Sequence, residues 1–316
     1  MRIGIDLGGT KIEAIALDAQ GRTLTRRRVS TPHSGYGDTL DAIVGLVGSV
    51  EQELVTKGSV GIGTPGAVSR VTGRIKNSNS TCLNGQPLRE DLEARLDRPV
   101  RLANDADCFA LSEAMDGAGK GARTVWGVIL GTGAGSGVVV EGKLLRGCNA
   151  IAGEWGHNPL YYGQAGETWQ NLEGAEKPPR PLLCGNGERL CNCGRLNCVE
   201  TYVSGTGLEM TWEQATGQRA SGLHIAAEDR AGNPNAAAVL ARYESHLARA
   251  LATVINVLDP DVVVLGGGLS NLTRLYSNVP RLWLPHIFTD RVETRLVRAV
   301  HGDSSGVRGA AWLWPN

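Results

Sequence analysis

The chain has 316 residues, and its 32 Lys and Arg residues balance its 32 Asp and Glu residues. This length suits two domains better than one small core, and the balanced charge excludes a general basic surface for nucleic acid. No apolar run approaches the length of a membrane-spanning helix and Met1 leads directly into a strand, so we expect a cytoplasmic protein without signal peptide or membrane contact.

The first predicted element is a β-hairpin with a glycine turn. Residues 2–7 form an alternating apolar strand and Ile12–Leu17 the returning strand. The turn between them supplies four candidate nucleotide-binding residues: Gly8, Gly9, Thr10 and Lys11. Glycine lets the backbone approach an anion and Thr adds a hydroxyl donor, although a plain tight turn explains the pattern equally well. Asp6, at the strand end, either faces Mg²⁺ through water or helps to form the turn.

A helix is next predicted over Asp38–Val55, by its apolar spacing. Further along, a short strand over Val100–Ala103 leads through Asn104 and Asp105 into a helix over Ala106–Met115. Asp105 has two interpretations. It is either the N-cap of that helix, or a general base at the carboxyl end of a strand, where ligand clefts of α/β folds form. Asn104 beside it could bind the same substrate.

The glycine-turn signature recurs about 120 residues later, in Trp126–Gly135, and a strand over Gly137–Glu141 follows. Its candidate nucleotide-binding residues are Gly131, Thr132 and Gly133. A dinucleotide fingerprint is excluded because Ser136 stands where glycine is required and a strand follows instead of a helix. A P-loop motif is absent as well. Two such turns favour an internally duplicated fold that binds the polyphosphate of ATP.

The C-terminal part contains the strongest predicted helix, over Ala236–Leu258, and a buried strand over Asp261–Leu265. Three glycines follow that strand: Gly266, Gly267 and Gly268. They suit close contact with an adenine or ribose, or they form a tight turn only. A last strand over Arg295–Val300 and a helix over Gly306–Trp312 end the chain, and we expect this helix to return to the first domain.

A cluster of metal-ligand residue types lies between these regions. Four side chains could form a closed tetrahedral zinc site: His157, Cys191, Cys193 and Cys198. The spacing does not match a standard zinc finger, so free thiols are an equal alternative, and Cys184 is a weaker candidate ligand. A zinc ion would anchor the carboxylates of Glu154 and Glu200 nearby, where both could bind a polyol.

These segments together resemble the ROK family of bacterial sugar kinases, within the actin-like and hexokinase-like ATPases. The resemblance extends over essentially the whole chain and rests on Asp6–Lys11, Gly131–Gly133, Gly153–His157 and Cys191–Glu200. It implies a two-domain α/β, ribonuclease H-like fold with an interdomain active-site cleft. The implied domains are a small one (1–117 plus 301–316) and a larger one (118–300) with the zinc-binding loop at about 153–200.

The resemblance also implies the chemistry. ATP with Mg²⁺ would phosphorylate a hexose at its 6-hydroxyl, with Asp105 as the general base and a structural Zn²⁺ bound by the four residues named above. Sugar contacts are implied for Asn79, Asn104, Asp105, Glu154, His157 and Glu200. His157 would bind the metal with one nitrogen and the sugar with the other. Asn197 departs from the family pattern, which has glycine before the third cysteine. Family members often form dimers, so the resemblance is compatible with a homodimer but leaves the oligomeric state open.

Within the family, the chain is most similar to the bacterial fructokinase (mannofructokinase) group. The similar segments are Lys76–Thr81, Leu83–Pro87, Glu154–Pro159 and His301–Trp314. This similarity predicts D-fructose as the substrate and fructose 6-phosphate as the product. The alternatives are a kinase for mannose, glucose or N-acetylglucosamine, and a sugar sensor without catalytic activity.

Overall fold

The computed structural model describes residues 1–32, 35–78, 80–160, 182–183, 188–302 and 305–314. The chain forms two compact units. Unit one comprises Met1–Gly127, Gly137–Ala152 and Ala299–Asn316, and unit two comprises Val128–Ser136 and Gly153–Arg298. The domain boundaries expected from the sequence stay a prediction. No helix among the described residues is long and apolar enough to cross a membrane.

The described residues of the first part of the chain, up to Met115, form seven strands and three α-helices. The strands are β1 (Arg2–Leu7), β2 (Lys11–Leu17), β3 (Thr23–Ser30), β4 (Ser59–Thr64), β5 (Ala67–Val68), β6 (Ile75–Lys76) and β7 (Val100–Asn104). The helices are α1 (Tyr36–Leu54), α2 (Leu88–Leu96) and α3 (Asp105–Met115). The two helices expected over 38–55 and 106–115 are therefore present, with small shifts at their ends.

The later part contains the remaining described elements. The strands are β8 (Thr124–Leu130), β9 (Ala134–Val140), β10 (Lys143–Leu144), β11 (Leu182–Leu183), β12 (Arg189–Leu190), β13 (Val262–Gly266) and β14 (Arg295–Arg298). The helices are α4 (Glu200–Val203), α5 (Gly205–Thr216), α6 (Gly222–Arg230), α7 (Pro234–Leu258), α8 (Leu275–Leu282) and α9 (Ser305–Trp312). The last strand thus ends two residues before the Val300 expected from the sequence.

Two five-stranded sheets share one strand pattern. The first has the order β3-β2-β1-β4-β7, with β1 antiparallel to β2 and parallel to β4. The second has the order β10-β9-β8-β13-β14, with β9 antiparallel to β10 and β13 parallel to β14. In each sheet the strand before the glycine turn is central and its returning partner lies beside it. The two predicted hairpins and the duplicated α/β fold are confirmed.

Helix positions follow from the apolar spacing and the caps. In α1, Ile43, Val47 and Val50 are fully buried, because residues three and four apart share one helix face. Helix α7 begins two residues earlier than the apolar pattern indicates. Pro234 lies in the first turn, where a helix leaves the N–H groups without partners, so its missing N–H costs nothing. Asn233 caps the helix, because its side-chain oxygen accepts hydrogen bonds from the Asn235 and Ala236 amides.

Helix α9 packs directly on β1, β4 and α3 within unit one, so the final helix returns to the first sheet as expected. Glycines allow this close approach. A Cβ at Gly4 would lie 2.1 Å from the carbonyl oxygen of Val307, and one at Gly61 would lie 2.0 Å from that of Ala310. The backbone of α9 therefore rests on the backbone of the sheet.

Candidate active site and metal centre

The Asn104–Asp105 pair lies where β7 meets α3 in unit one. Asn104 is the N-cap, since its side-chain oxygen accepts a hydrogen bond from the Asp107 amide at 2.6 Å. Asp105 is the first helical residue, and its Oδ1 accepts from the Ala106 amide at 2.8 Å. The interpretation of Asp105 as the N-cap is therefore wrong. Both residue types cap helices well, and the cap lies one residue earlier.

The carboxyl groups of Asp105 and Asp6 both have raised pKa values. Loss of hydration raises the pKa of Asp105, against the hydrogen bonds that its carboxylate accepts from backbone amides. Loss of hydration and the negative charges of Asp105 and Glu13 raise the pKa of Asp6 to about 6. Lys11 partly offsets this effect. The negative charge of Asp105 destabilises ionised Asp6, so a cation beside Asp6 would stabilise it, and a raised pKa suits a general base near neutral pH.

The first glycine turn is held by its own backbone and by Thr31. The Gly8 amide donates to the Lys11 carbonyl at 3.0 Å, and the Thr31 hydroxyl donates to the Gly8 carbonyl at 2.7 Å. The Thr31 amide also donates to the Thr10 carbonyl at 3.0 Å. Gly9 and Thr10 are exposed at the tip. The bracing role of Thr31 has no signal in the sequence, because it depends on the fold of β3.

The second glycine turn is held by the start of α5 in unit two. The Gly131 amide donates to the Gly133 carbonyl at 3.0 Å, which closes the turn. The Gly205 amide donates to the Gly131 carbonyl at 2.7 Å, and the Thr206 hydroxyl to the Thr132 carbonyl at 3.0 Å. Thr132 is exposed at the tip, in the middle of the turn, where the first turn has Gly9.

Three consecutive glycines, Gly266 at the end of β13 and the two that follow it, lie beside this second turn. Gly267 has a φ of 79°, and a Cβ there would lie 2.5 Å from the Leu130 carbonyl oxygen. Both the backbone conformation and the close approach therefore require glycine. Gly267 and Gly268 are exposed, whereas Gly266 is buried at the end of β13. Of the three glycines predicted to contact the nucleotide, Gly267 and Gly268 are therefore accessible to a ligand.

The four predicted zinc ligands lie together in unit two. The ligand atoms of His157, Cys191, Cys193 and Cys198 all lie within 4.8 Å of one another. The Cys193 and Cys198 sulfurs are 3.6 Å apart, and the Cys191 sulfur is 3.6 Å from His157 Nδ1. A tetrahedral zinc with Zn–S bonds of about 2.3 Å separates its ligands by roughly 3.8 Å, whereas a disulfide needs about 2.05 Å. The donor set therefore fits zinc. Cys184 and Asn79 lie outside the described residues.

The two ring nitrogens of His157 face different groups. Hydrogen bonds to Cys193 and Cys198 raise the pKa of His157 to about 10. The Nε2 atom of His157 lies 3.9 Å from Glu154 Oε2, on the side away from Cys191. One ring nitrogen therefore faces the thiols while the other faces a half-exposed carboxylate, which is the geometry that separate metal and substrate contacts require.

Asn197, which replaces the glycine typical of the family, occupies a left-handed backbone conformation with a φ of 58°. Among residues with a side chain, Asn adopts this conformation most readily. Its side-chain oxygen accepts hydrogen bonds from the Arg189 amide at 3.0 Å and the Tyr202 hydroxyl at 2.8 Å. The chain thus has at this position a backbone conformation that favours glycine, and the Asn197 side chain adds two buried hydrogen bonds.

Glu200 is buried in unit two, with 8% of its surface exposed. Its Oε2 accepts a hydrogen bond from the Ala134 amide at 2.9 Å, directly after the second glycine turn. Its Oε1 lies 3.8 Å from the Cys191 sulfur. The sugar contact expected of Glu200 stays a prediction, and its contact with the turn is a finding that spacing alone gave no sign of.

Glu113 is a second residue without a sequence signal. This fully buried carboxylate in α3 accepts hydrogen bonds from the Ala118 and Val300 amides at 2.9 and 3.0 Å. It also accepts from the His301 amide at 3.1 Å and the Ser305 hydroxyl at 2.8 Å. It therefore fixes the segment after α3 and the start of α9 within unit one. In the sequence it is an ordinary helical glutamate.

Comparison with known proteins gives consistent results. The model of the ROK family matches residues 2–316. The N-acetyl-D-glucosamine kinase of Vibrio cholerae is 40% identical over 313 residues, which cover 99% of both chains. Among solved structures, a ROK hexokinase from Thermus thermophilus matches with a TM-score of 0.82 and 30% identity, over 98% of this chain and 96% of that one.

A ROK family glucokinase from Streptomyces griseus, solved with glucose and AMPPNP, matches with a TM-score of 0.72 and 27% identity, over 99% and 98% of the two chains. None of these three proteins is named a fructokinase. The comparisons therefore support the predicted family and fold. They do not support the fructokinase subgroup, and they favour the alternative of a kinase for another hexose.

Proposed function

Because the chain belongs to the ROK family, we propose that it transfers the γ-phosphoryl group of ATP to the 6-hydroxyl of N-acetyl-D-glucosamine. All three named relatives are sugar kinases, so kinase activity on a sugar is the best supported element of this proposal. The choice of N-acetyl-D-glucosamine follows the full-length relative at 40% identity, against 30% and 27% for the hexokinase and glucokinase structures.

The observation on which the proposal rests is the position of Asp105. Asn104 caps α3, so Asp105 is released from that role and holds a carboxylate of raised pKa directly after β7, the parallel strand at the edge of the first sheet. In the proposed reaction this carboxylate accepts the proton of the sugar 6-hydroxyl as the oxygen attacks phosphorus. General-base assistance of this kind typically contributes about 10²- to 10⁴-fold.

The two glycine turns would bind the phosphates of ATP. The backbone amides at each tip and the hydroxyls of Thr10 and Thr132 are exposed donors of the type that binds phosphate oxygens. Asp6, beside the first turn, is the residue that would hold Mg²⁺ through water. Bound Mg²⁺ supplies charge neutralisation on the phosphoryl oxygens.

On the sugar side, Glu154 and the Nε2 atom of His157 would bind hydroxyl groups. Their separation of 3.9 Å lets one polyol reach both. Zinc held by the Cys–His cluster would fix the orientation of His157, and with four protein ligands it has no open position for chemistry. A sensor without catalysis is the less favoured function, because Asp105 and both phosphate turns are intact.

The proposal is tested by ADP release with purified protein against equal concentrations of N-acetylglucosamine, fructose, glucose and mannose. N-acetylglucosamine is expected to give the highest kcat/KM. A higher value for fructose would restore the fructokinase hypothesis, and no sugar-dependent turnover would favour the sensor.

Asp105→Asn is expected to lower kcat about 100-fold or more, because the general base is lost. The matched control is Asp38→Asn, which changes an exposed aspartate in the first turn of α1 and is expected to leave kcat unchanged. An Asp105→Asn enzyme with more than about a tenth of the wild-type kcat would contradict the assigned role.

A further inference from the structure

Glu200 contacts both the Cys–His cluster and the second glycine turn. It is the first residue of α4 and follows Cys198 by two positions. Its Oε2 accepts from the Ala134 amide at 2.9 Å, and its Oε1 lies 3.8 Å from the Cys191 sulfur. One buried carboxylate therefore joins the end of the turn to a candidate metal ligand.

The backbone around Ala134 is in contact with two segments that contain candidate metal ligands, one with Cys198 and one with His157. A Cβ at Gly133 would lie 2.6 Å from Glu200 Oε2, so the carboxylate packs directly on the turn. A Cβ at Gly156 would lie 2.3 Å from the Ala134 carbonyl oxygen. The short turn that contains His157 therefore touches the Ala134 peptide as well.

The same segment also reaches the start of the turn. After α4 the chain enters α5, and the Gly205 amide donates to the Gly131 carbonyl at 2.7 Å. The stretch from Cys198 to Gly205 thus holds the turn at both ends, through Ala134 on one side and Gly131 on the other. The shape of the turn depends on where this stretch lies.

We infer that Glu200 is a positioning residue that couples the Cys–His cluster to the second glycine turn, so that an ordered cluster strengthens nucleotide binding. This role differs from the sugar contact implied for Glu200 by the family resemblance. It rests on the proposed function, in which the turn binds ATP phosphates.

The coupling depends on the side-chain oxygen of Glu200 that accepts a hydrogen bond from the Ala134 amide. Two substitutions at Glu200 are therefore expected to differ in effect. Glu200→Gln keeps an oxygen that can accept from the Ala134 amide, and its NH₂ group can donate to the Cys191 sulfur. Glu200→Ala removes the acceptor and leaves the turn without its support at that end. We expect Mg–AMPPNP, titrated without sugar, to bind about tenfold more weakly to Glu200→Ala, the loss typical of a hydrogen bond to a charged group. Glu200→Gln is expected to stay within about threefold of the wild type, since the acceptor remains.

Glu213→Ala is the matched control. It removes a carboxylate from α5 in the same unit, where Glu213 pairs only with the exposed Arg219 among the described residues. Its affinity for Mg–AMPPNP is expected to equal that of the wild type. Because sugar is absent from the titration, a role of Glu200 in sugar binding alone would leave all these affinities equal, and that result would overturn the inference.

Hydrogen–deuterium exchange of the segment around Ala134 gives a second measurement without nucleotide or turnover. Exchange is expected to be faster in Glu200→Ala, and also in the wild-type protein after metal removal by a chelator. The chelator arm needs no variant, so it remains decisive if Glu200→Ala fails to fold. Unchanged exchange after chelation would refute the coupling, whereas a wild-type protein that does not bind Mg–AMPPNP would instead refute the proposed function.

Discussion

Replacing Asn197 by glycine and by alanine separates two contributions of this residue to stability. The backbone there has a φ of 58°, which favours glycine, and the side-chain oxygen accepts hydrogen bonds from the Arg189 amide and the Tyr202 hydroxyl. Asn197→Gly removes the hydrogen bonds and relaxes the backbone. Asn197→Ala removes the same bonds and places a less suitable residue in the left-handed conformation.

The expected magnitudes follow from these contacts. Two buried hydrogen bonds at about 1 kcal/mol each give a loss of about 2 kcal/mol for Asn197→Gly. Glycine's larger conformational entropy in the unfolded chain roughly offsets its relief of backbone strain. Asn197→Ala is expected to lose about 1 kcal/mol more, because alanine tolerates a positive φ less well than asparagine.

Thermal unfolding of the protein, with wild type and variants in the same zinc-containing buffer, measures both losses. With about 2–4 °C of Tm per kcal/mol for a unit of this size, glycine is expected to lower Tm by about 4–8 °C, and alanine by a further 2–4 °C. Asn235→Ala, at an exposed position in the first turn of α7, is the control and is expected to change Tm by less than about 1 °C. A glycine variant as stable as the wild type would refute the contribution of the side-chain hydrogen bonds. An alanine variant equal to the glycine variant would refute the backbone argument.

Three further predictions concern other parts of the chain. The folded protein disfavours ionised Asp6, because the pKa of this carboxyl group is raised from 3.8 to about 6. Asp6→Asn should therefore raise the free energy of unfolding at pH 8 by on the order of 1–3 kcal/mol, although it should abolish activity. That gain should disappear as the pH falls from 6 to below 4, where the carboxyl is protonated in both states, and melting curves across this range test the sign. Cys193→Ser should reduce bound zinc from about one ion per chain to a small fraction by elemental analysis, whereas Cys82→Ser, an exposed thiol of unit one, should retain it. Gly61→Ala should destabilise unit one by about 3 kcal/mol or more in urea unfolding, because its Cβ would lie 2.0 Å from a carbonyl of α9. Gly45→Ala, an open position on α1 with no atom within 4 Å, should instead stabilise it by about 0.5–1 kcal/mol.

Local sequence patterns predicted the elements because the governing forces are local. The alternation of apolar and polar residues predicted the strands of both hairpins, and the helical spacing of apolar residues predicted α1 and α7. The clustering of the four candidate metal ligands was predictable for the same reason, since three of them lie within eight positions of one another, whereas the zinc ion itself stays a prediction. The cap of α3 was misassigned by one residue because Asn104 and Asp105 are both strong capping residues, and spacing does not distinguish them.

The contacts that position the site are long-range and have no local pattern. The Ala134 amide and the Glu200 carboxylate are 66 residues apart in sequence, and Glu113 meets the Val300 amide across 187 residues. Such pairs form only when the sheets are assembled. A glutamate in a helix is compatible with solvent exposure, so nothing in its own neighbourhood indicates that it will be buried and hydrogen-bonded.

Two of the four segments that suggested fructokinase, Leu83–Pro87 and His301–Trp314, have side chains that hydrogen-bond within unit one. In the stretch Leu83–Pro87, the Asn84 side chain accepts from the Ser78 amide at 2.9 Å and donates to the Ser78 carbonyl at 3.0 Å. In the stretch His301–Trp314, the His301 ring pairs with Asp116 at 2.8 Å. The indole of Trp312 donates to the same carboxylate at 3.2 Å.

These side chains brace loops and helix α9 within unit one, so their hydrogen-bonding groups are already used by the protein. Similarity in such segments reports a shared scaffold, and kinases for different hexoses require the same scaffold. In the proposed function, discrimination between fructose and N-acetylglucosamine would depend instead on the few groups that contact the sugar, such as Glu154 and the Nε2 atom of His157. A substitution in the bracing segments, such as Asn84→Ala, should therefore lower stability while leaving the order of preference among hexoses unchanged. A reversed preference in that variant would show that the segment contacts the sugar after all.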